Sequence, residues 1–132
     1  MQWLKQRADF LAAARGVKAS ESGFVLQARP RQDAAPARFG FTVAKKVGNA
    51  VERNRVRRRL REIVRASAVA ARCGHDYVVI GRRAALALPF AQMLAEFERA
   101  LRHVHEKEAR RQPHKSDTEA NRRPGAESEN RR

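Results

Sequence analysis

The stretch "AVERNRVRRRLRE", Ala50 to Glu62, concentrates six arginines and one asparagine. An arginine guanidinium group can bind a phosphate through two parallel hydrogen bonds and can stack on a base, and an asparagine amide can both donate and accept. A charged face that is only solvated usually mixes signs, whereas only Glu52 and Glu62 are acidic here. The pattern therefore predicts a surface that binds a polyanion.

Residues suited to catalysis or metal binding are scattered along the rest of the chain. His103 and His105 are two residues apart, which would place them on different faces of a helix, and His114 lies in a polar tail. His75 and Asp76 could imitate part of a catalytic pair, but no nucleophile accompanies them, so we assign them a turn or capping role. The acidic residues show no pairing suited to Mg²⁺. We expect no catalytic side chain and no metal or other cofactor bound by protein residues.

Composition also favours a nucleic-acid partner. The 132 residues include 29 Lys+Arg against 14 Asp+Glu, and the formal net charge of +15 attracts polyanions such as nucleic acid or an anionic membrane. The single cysteine, Cys73, cannot close an intrachain disulfide. No run approaches the ~20 apolar residues of a membrane span, and the first residues lack the apolar centre of a signal peptide. We expect a cytoplasmic protein with no membrane partner and no small-molecule substrate.

The charge is focused in a folded body rather than in the tail. Nine Lys and Arg residues lie between Lys45 and Arg65, whereas the last 28 residues mix both signs and contain no large apolar residue after Val104. Such a tail buries too little surface to offset the entropy of ordering it. We predict one RNA-binding domain over residues 1–111 and a disordered polar tail over residues 112–132.

Three elements are predicted before the basic stretch. An apolar stripe predicts a helix from Trp3 to Arg15. The segments "GFVLQAR" and "RFGFTVA" alternate with period two, which indicates two strands with Val25, Gln27 and Thr42 on an outward face and the phenylalanines facing a core. Because "PRQDAAP" between them is typical of a turn, we expect these strands to form an antiparallel hairpin.

The basic stretch itself is predicted to be a helix followed by a strand and a second helix. Asn49 and Glu52 have the spacing of a helix N-cap, for a helix that runs to about Ala71. The segment "HDYVVIG" indicates a third strand, parallel to the second because a helix connects them. The segment "LPFAQMLAEFERALRHV" predicts a closing amphipathic helix with Pro89 in its first turn.

A helical projection at ~100° per residue separates the faces of the basic helix. One apolar stripe that must pack on a sheet contains Val56, Leu60, Ile63 and Val64. The polar arc beside it contains Asn54, Arg57, Arg58, Arg61 and Arg65. Arg53 borders the apolar stripe, and Arg55 and Arg59 point elsewhere. Asparagine is a poor helix former, and like charges one turn apart repel, so both features destabilise the helix. These residue types are therefore better explained by binding to a ligand than by helix stability.

The segment "FTVAKKVGNAVERNRVRRRLRE", Phe41 to Glu62, resembles the signature region of the bacterial ribonuclease P protein subunit. The matching residues are Lys45, Lys46, Gly48, Asn49, Ala50, Val51, Arg53, Asn54, Arg55, Arg57, Arg58 and Arg61. The resemblance extends over residues 4 to about 105, with "LKQRADF" before this segment and "HDYVVIGRR" after it, and leaves the tail outside.

The resemblance implies an α+β fold, a small two-layer α-β sandwich in the order α-β-β-β-α-β-α. It implies a left-handed β-α-β crossover around the basic helix, against the general right-handed rule, and a further short strand near Val17 to Ser20. The implied function is endonucleolytic removal of the 5′ leader from precursor tRNA. In that family the chemistry belongs to the RNA subunit and its Mg²⁺, and the protein assists binding.

The resemblance also implies two binding surfaces. Contacts with the ribonuclease P RNA are expected from Lys45, Lys46, Asn49, Arg53, Asn54, Arg55, Arg57, Arg58, Arg61 and Arg65. A cleft for the precursor-tRNA leader is expected from Phe10, Val25, Gln27, Thr42, Arg53 and Arg57. Many relatives carry an aromatic residue in place of Ala14, and some carry tyrosine in place of Gln27. Base stacking in this cleft is therefore expected to be weaker than in those relatives.

Two other interpretations of the sequence remain open. A non-enzymatic RNA-binding module, such as a ribosomal or double-stranded-RNA protein, could also place a basic helix on a small sheet. A membrane-surface protein could use a basic amphipathic helix, but that helix would need a free apolar face.

Overall fold

The computed structural model describes residues 2–67 and 71–111. Five strands are present among them: β1 (Gln2–Trp3), β2 (Val17–Ser20), β3 (Phe24–Pro30), β4 (Arg38–Val43) and β5 (His75–Gly81). Three α-helices accompany these strands: α1 (Arg7–Ala14), α2 (Ala50–Ser67) and α3 (Phe90–Arg111). Short 3-10 turns occupy Lys45–Val47 and Arg83–Leu86. Apart from the short β1, this is the predicted α-β-β-β-α-β-α order.

All five strands belong to one sheet in the order β1-β4-β5-β3-β2. The prediction that β3 and β4 form a hairpin was wrong, because β5 lies between them, parallel to β4 and antiparallel to β3. Val79 is paired with Phe41 on one side and with Leu26 on the other. The apolar run of β5 explains its central position, since a central strand with helices packed on both faces buries most of its side chains.

The predicted additional strand is present as β2, and it forms an antiparallel pair with β3. The predicted parallel pairing of β4 and β5 through α2 is also confirmed. The left-handed sense of that crossover stays a prediction. The predicted disordered tail, residues 112–132, lies outside the described residues.

The first helix begins later than the sequence indicated. Trp3 lies in β1, where it pairs in parallel with Phe39, and the helix starts at Arg7 after an extended Gln6. The helix ends at Ala14, before Gly16. A Cβ atom on Gly16 would lie 1.9 Å from the carbonyl oxygen of Ala28, so only glycine allows the chain to pass this close to β3.

One face of the sheet packs against α2 and α3 and forms the main core. The apolar stripe of α2 is fully used there, because Val56, Leu60, Ile63 and Val64 are at most 1% exposed. Each such side chain contributes about 1.5–3 kcal/mol by leaving water. The membrane-surface interpretation is thereby excluded for α2, which has no free apolar face. No helix within the described ranges is both long and apolar enough to cross a bilayer.

The opposite face of the sheet is covered in part by α1. A second, smaller cluster joins Leu4, Ala13 and Val78, with Phe10 and Ile80 packed against it. The outward face predicted from β3 and β4 is therefore only partly open to solvent. Its open part lies away from α1, toward the end of the sheet where α2 begins.

Candidate nucleic-acid interface

The N-terminus of α2 is fixed by the predicted capping interaction. The backbone N–H of Glu52 donates to Asn49 Oδ1 at 2.8 Å, and the backbone N–H of Asn49 donates to Glu52 Oε1 at 3.0 Å. Arg83 also donates to Glu52 Oε2 at 3.2 Å. The Asn49 backbone hydrogen bond, followed by Arg83, holds the pKa of Glu52 below its usual value. The Asn49 side-chain oxygen is therefore engaged within the protein, although the residue stays exposed.

The polar arc of α2 is accessible. Asn54, Arg58 and Arg65 are exposed, and Arg57 and Arg61 are half-buried. Arg57 Nη1 donates to Asn54 Oδ1 at 3.0 Å. This bond uses one of the two lone pairs of the amide oxygen, and the exposed side chain keeps its NH₂ group as a donor. The arc thus presents mainly donors, as a surface for phosphate oxygens should.

The other basic residues of the predicted RNA-subunit surface surround this arc. Lys45 and Lys46 are exposed on the 3-10 turn before the helix, and Arg55 is exposed on its first turns. Arg53 is half-buried and its Nη1 donates to the Gly48 carbonyl at 2.7 Å. Arg53 therefore stabilises the turn into α2 in addition to bordering the arc.

Arg59 points away from the arc, as predicted, and has a structural role. Its Nη1 donates to the carbonyls of Ala85 and Leu86 at 3.0 Å each, and its Nη2 donates to the carbonyl of Leu88 at 2.5 Å. These carbonyls lie in and after the second 3-10 turn, where the backbone cannot satisfy them itself. Arg59 therefore joins α2 to the segment that leads into α3.

The arginines of α2 form no ion pair with the part of the chain that the structure describes. Among the described residues, the ion pairs within 4.0 Å involve none of its arginines; Glu52 of this helix pairs with Arg83 of the later 3-10 turn. Like-charged residues one helical turn apart cost about 0.2–0.5 kcal/mol per pair. An external polyanion would remove this repulsion, which is the electrostatic signature expected of a nucleic-acid interface.

The residues predicted for a leader cleft divide into open and covered positions. Thr42 is exposed and Val25 is half-buried, as an outward sheet face requires. Gln27, however, is only 6% exposed, because α1 packs over this part of β3. Phe10 is half-buried over Gly40, where an added Cβ would meet its ring at 2.5 Å, so Phe10 both packs on the sheet and retains an open edge.

A cavity of about 490 Å³ opens beside the uncovered part of this face. It is lined by Val25, Ala44, Lys46, Val47, Ile80, Gly81, Arg82 and Arg83. Its floor is apolar and its rim is basic, which suits an unstacked base with its phosphate. Arg82 and Arg83 were not singled out as site residues from sequence; the pair "RR" directly after the apolar strand was the available signal.

The histidine and acidic residues near the start of β5 form a cluster of hydrogen bonds and ion pairs. Asp76 is fully buried and accepts from Arg38 at 2.8 Å and from Arg31 at 2.6 Å. Burial opposes its ionisation, but these two guanidinium groups outweigh burial and keep the pKa of Asp76 below its usual value. His75 hydrogen-bonds to Glu108 at 2.8 Å. Within the described ranges, no three His, Cys, Asp or Glu side chains are grouped as metal ligands.

A buried histidine completes this cluster. His105 Nε2 lies 2.7 Å from the hydroxyl of Tyr77, which also accepts from the backbone N–H of Arg72 at 3.0 Å. Burial, followed by the positive charge of Arg72, lowers the pKa of His105 to about 4. The backbone N–H can only donate to the Tyr77 oxygen, so the hydroxyl proton can be donated to His105 Nε2 when the imidazole carries its own proton on Nδ1.

Comparisons with known proteins agree on one family. A family model described as "Ribonuclease P" matches residues 2–105. The "Ribonuclease P protein component" of Gluconacetobacter diazotrophicus is 52% identical over 101 residues, covering 75% of this chain and 87% of that protein. The protein of the same name from Paramagnetospirillum magneticum is 50% identical over 107 residues, covering 76% and 80%.

Solved structures with the same fold carry the same family name. The RNase P protein of Staphylococcus aureus is 28% identical, with a TM-score of 0.61 over 79% of this chain and 92% of that one. The RNase P protein from Thermotoga maritima is 29% identical, with a TM-score of 0.62 over 71% and 89%.

Proposed function

This chain belongs to the bacterial ribonuclease P protein family and is a protein component of that tRNA-processing ribonucleoprotein, and we propose that it binds both the ribonuclease P RNA and the 5′ leader of precursor tRNA. Binding to both would assist endonucleolytic removal of the leader and so generate the mature tRNA 5′ end. Membership of this family is enough to explain the basic helix, so no function outside tRNA processing is needed to account for it.

The observation that carries the proposal is the polar arc of α2. Its arginines are accessible, lack carboxylate partners among the described residues and lie on a helix anchored by its opposite face. A helix fixed in this way can present its guanidinium groups to folded RNA without rearranging. We assign RNA-subunit binding to the arc with Lys45, Lys46, Arg53 and Arg55, and give Asn49 mainly its capping role.

The leader is assigned to the open part of the second sheet face. Thr42 and Val25 would form its floor, Phe10 its edge toward α1, and Arg53 and Arg57 its edge toward α2. The cavity beside Val25, with Lys46, Arg82 and Arg83 at its rim, supports a path for a single strand along this face. Gln27 would take part only if α1 moved, because it is buried in this arrangement.

Catalysis is assigned to the RNA subunit. The Mg²⁺ implied by the family would be held by RNA phosphate oxygens, which are hard ligands of the kind this ion prefers. The protein's contribution would then be electrostatic: added positive charge replaces part of the counterions that two RNA molecules need in order to approach each other. We place the complete particle in the cytoplasm, where precursor tRNA is made.

Reconstitution with a bacterial ribonuclease P RNA tests the proposal. We expect the protein to increase the rate of precursor-tRNA cleavage at low Mg²⁺ concentration, where RNA alone is least able to bind its substrate. A substrate with a leader of one nucleotide serves as the matched control, and its cleavage should gain less than that of a substrate with a long leader. Equal cleavage with and without the protein would refute the proposal.

A further inference from the structure

Trp3 of the edge strand lies against the C-terminal half of the polar arc. The guanidinium carbon of Arg61 lies 5.9 Å from the centroid of the Trp3 ring, and that of Arg65 lies 5.7 Å from it. Arg61 also lies 5.7 Å from the Phe41 ring, and the Trp3 and Phe41 rings are tilted against each other at 5.6 Å. These distances are within the range of cation–π attraction.

The strand pairing of β1 explains how Trp3 reaches α2. Trp3 pairs in parallel with Phe39 at the edge of the sheet, which brings its ring next to Phe41, two residues further along β4. Because α2 packs over this face of the sheet, the ring lies beside the helical turn that carries Arg61 and Arg65. The contact therefore depends on the two residues of β1 and not on α2 alone.

Arg61 and Arg65 need such a contact because they are like charges one turn apart. Neither has a carboxylate within 4.0 Å in the described part of the chain. An aromatic ring attracts a guanidinium group through its face without removing the positive charge. All five N–H donors of the guanidinium lie in its plane, so a group stacked by its face on a ring would keep its edges free for phosphate oxygens.

We infer that Trp3 is a positioning residue for RNA binding, which holds the Arg61 and Arg65 guanidinium groups with their donor edges directed toward the phosphates of folded RNA. The RNA-facing surface then extends from α2 onto the edge strand β1. Holding long side chains in one orientation before binding reduces the freedom they lose on binding. This inference rests on the proposed RNA-binding function of α2.

A double-mutant cycle on the full-length chain with ribonuclease P RNA tests the inference. We expect Trp3→Ala to weaken RNA binding about three- to tenfold at near-physiological salt, and Trp3→Phe to retain most of the affinity. In a background of Arg61→Ala and Arg65→Ala, Trp3→Ala should change affinity less than about twofold, because Trp3 acts through these arginines. An equal loss in both backgrounds would show that Trp3 contacts RNA itself or only stabilises the fold, and would overturn the inference.

Tryptophan fluorescence gives a second readout that does not depend on how well Trp3→Ala folds. Trp3 is the only tryptophan of the chain, so its emission reports this site alone. We expect emission to change between the wild type and the Arg61→Ala, Arg65→Ala variant, and to change again when RNA binds to the wild type. Unchanged emission in the arginine variant would refute the contact.

The outcomes separate this inference from the function on which it rests. Asn54→Ala and Arg58→Ala alter the arc without touching Trp3. If they weaken RNA binding while Trp3→Ala has no effect, the helix is the RNA surface and only the role of Trp3 is refuted. If the wild-type protein does not bind the RNA, the proposed function itself is refuted.

Discussion

Arg57 Nη1 donates to Asn54 Oδ1 at 3.0 Å, so two neighbouring residues of the polar arc of α2 are joined by a hydrogen bond. Asparagine is a poor residue for a helix interior because its amide competes for the backbone. Here the amide oxygen accepts from Arg57, and the exposed side chain keeps its NH₂ group as a donor. The pair therefore adds the Asn54 NH₂ group and the remaining N–H groups of Arg57 to a surface made mainly of donors.

Substitution of Asn54 should weaken RNA binding without unfolding the protein. Asn54→Ala removes the outward donor and frees Arg57, and we expect a loss of about 1–2 kcal/mol in binding to the ribonuclease P RNA. Asn54→Asp should weaken binding further, because a carboxylate would repel phosphate. Arg102→Ala, an exposed arginine on α3, is the matched control. Affinity of Asn54→Ala equal to that of the wild type would refute the assignment of this face.

The salt dependence of binding should report how many arginines bind phosphate. For Arg58→Ala we expect the slope of log affinity against log salt to become shallower by about 0.7–0.9, the value expected when one phosphate is no longer neutralised by the protein. The measurement is a filter or fluorescence titration at several salt concentrations. Arg102→Ala should leave the slope unchanged. A slope that Arg58→Ala does not alter would exclude Arg58 from phosphate binding.

Arg59 should matter for stability, in contrast to its neighbour Arg58. Arg59→Ala leaves the carbonyls of Ala85, Leu86 and Leu88 without their donor, and we expect the free energy of unfolding to fall by about 1–3 kcal/mol. Arg58→Ala removes the same charge from an exposed position and should change stability by less than about 0.5 kcal/mol. Denaturant titrations of both variants test the difference. Equal stabilities would show that the three hydrogen bonds to these carbonyls contribute nothing net.

His105 should make the protein sensitive to acid between its unfolded and folded pKa values. Its folded pKa is lowered to about 4, from an ordinary value of 6.5. Because the unfolded state binds the proton first, the contribution of His105 to stability is present above pH 6.5 and is lost as the pH falls toward 4. The pH dependence due to His75 runs in the opposite direction. Burial opposes its protonation, but its hydrogen bonds, led by the one to Glu108, together outweigh burial and raise the pKa of His75, so its contribution to stability is lost as the pH rises.

We therefore expect His105→Gln to reduce the fall in stability between about pH 6.5 and pH 4 by on the order of 2 kcal/mol. Glutamine can still accept from the Tyr77 hydroxyl but does not titrate. Urea unfolding at several pH values, with His103→Gln as the exposed control on the same helix, measures the effect. A pH profile identical to that of the wild type would show that His105 does not titrate as its surroundings require.

Local sequence patterns predicted the helices and strands of this chain better than they predicted which strands pair with each other. The Asn49 and Glu52 cap depends on three residues of spacing, and it is present as predicted. The position of β5 could not be predicted in this way. The alternation of apolar and polar residues in β3 and β4 is the same whether these strands pair with each other or with β5 between them. The family resemblance supplied β2, which is too short to stand out by its own periodicity.

The site was predictable in its charges but not in its contacts. The arc of α2 follows from a helical projection, since it depends only on positions within one helix. The carbonyls that Arg59 binds lie 26 to 29 residues away along the chain, and the covering of Gln27 depends on where α1 packs. Trp3 was assigned to a helix, so its place beside Arg61 and Arg65 followed only from the pairing of β1.

The central position of β5 has a consequence for how the chain assembles during synthesis. The β2–β3 hairpin can form as soon as it leaves the ribosome, whereas β4 has only the two residues of β1 as a partner until β5 is made. Until then the facing edges of β3 and β4 are both unpaired and open to association with other chains. The sheet can close only after β5 has been made, and α2, the most positively charged of the described helices, precedes β5 in the chain.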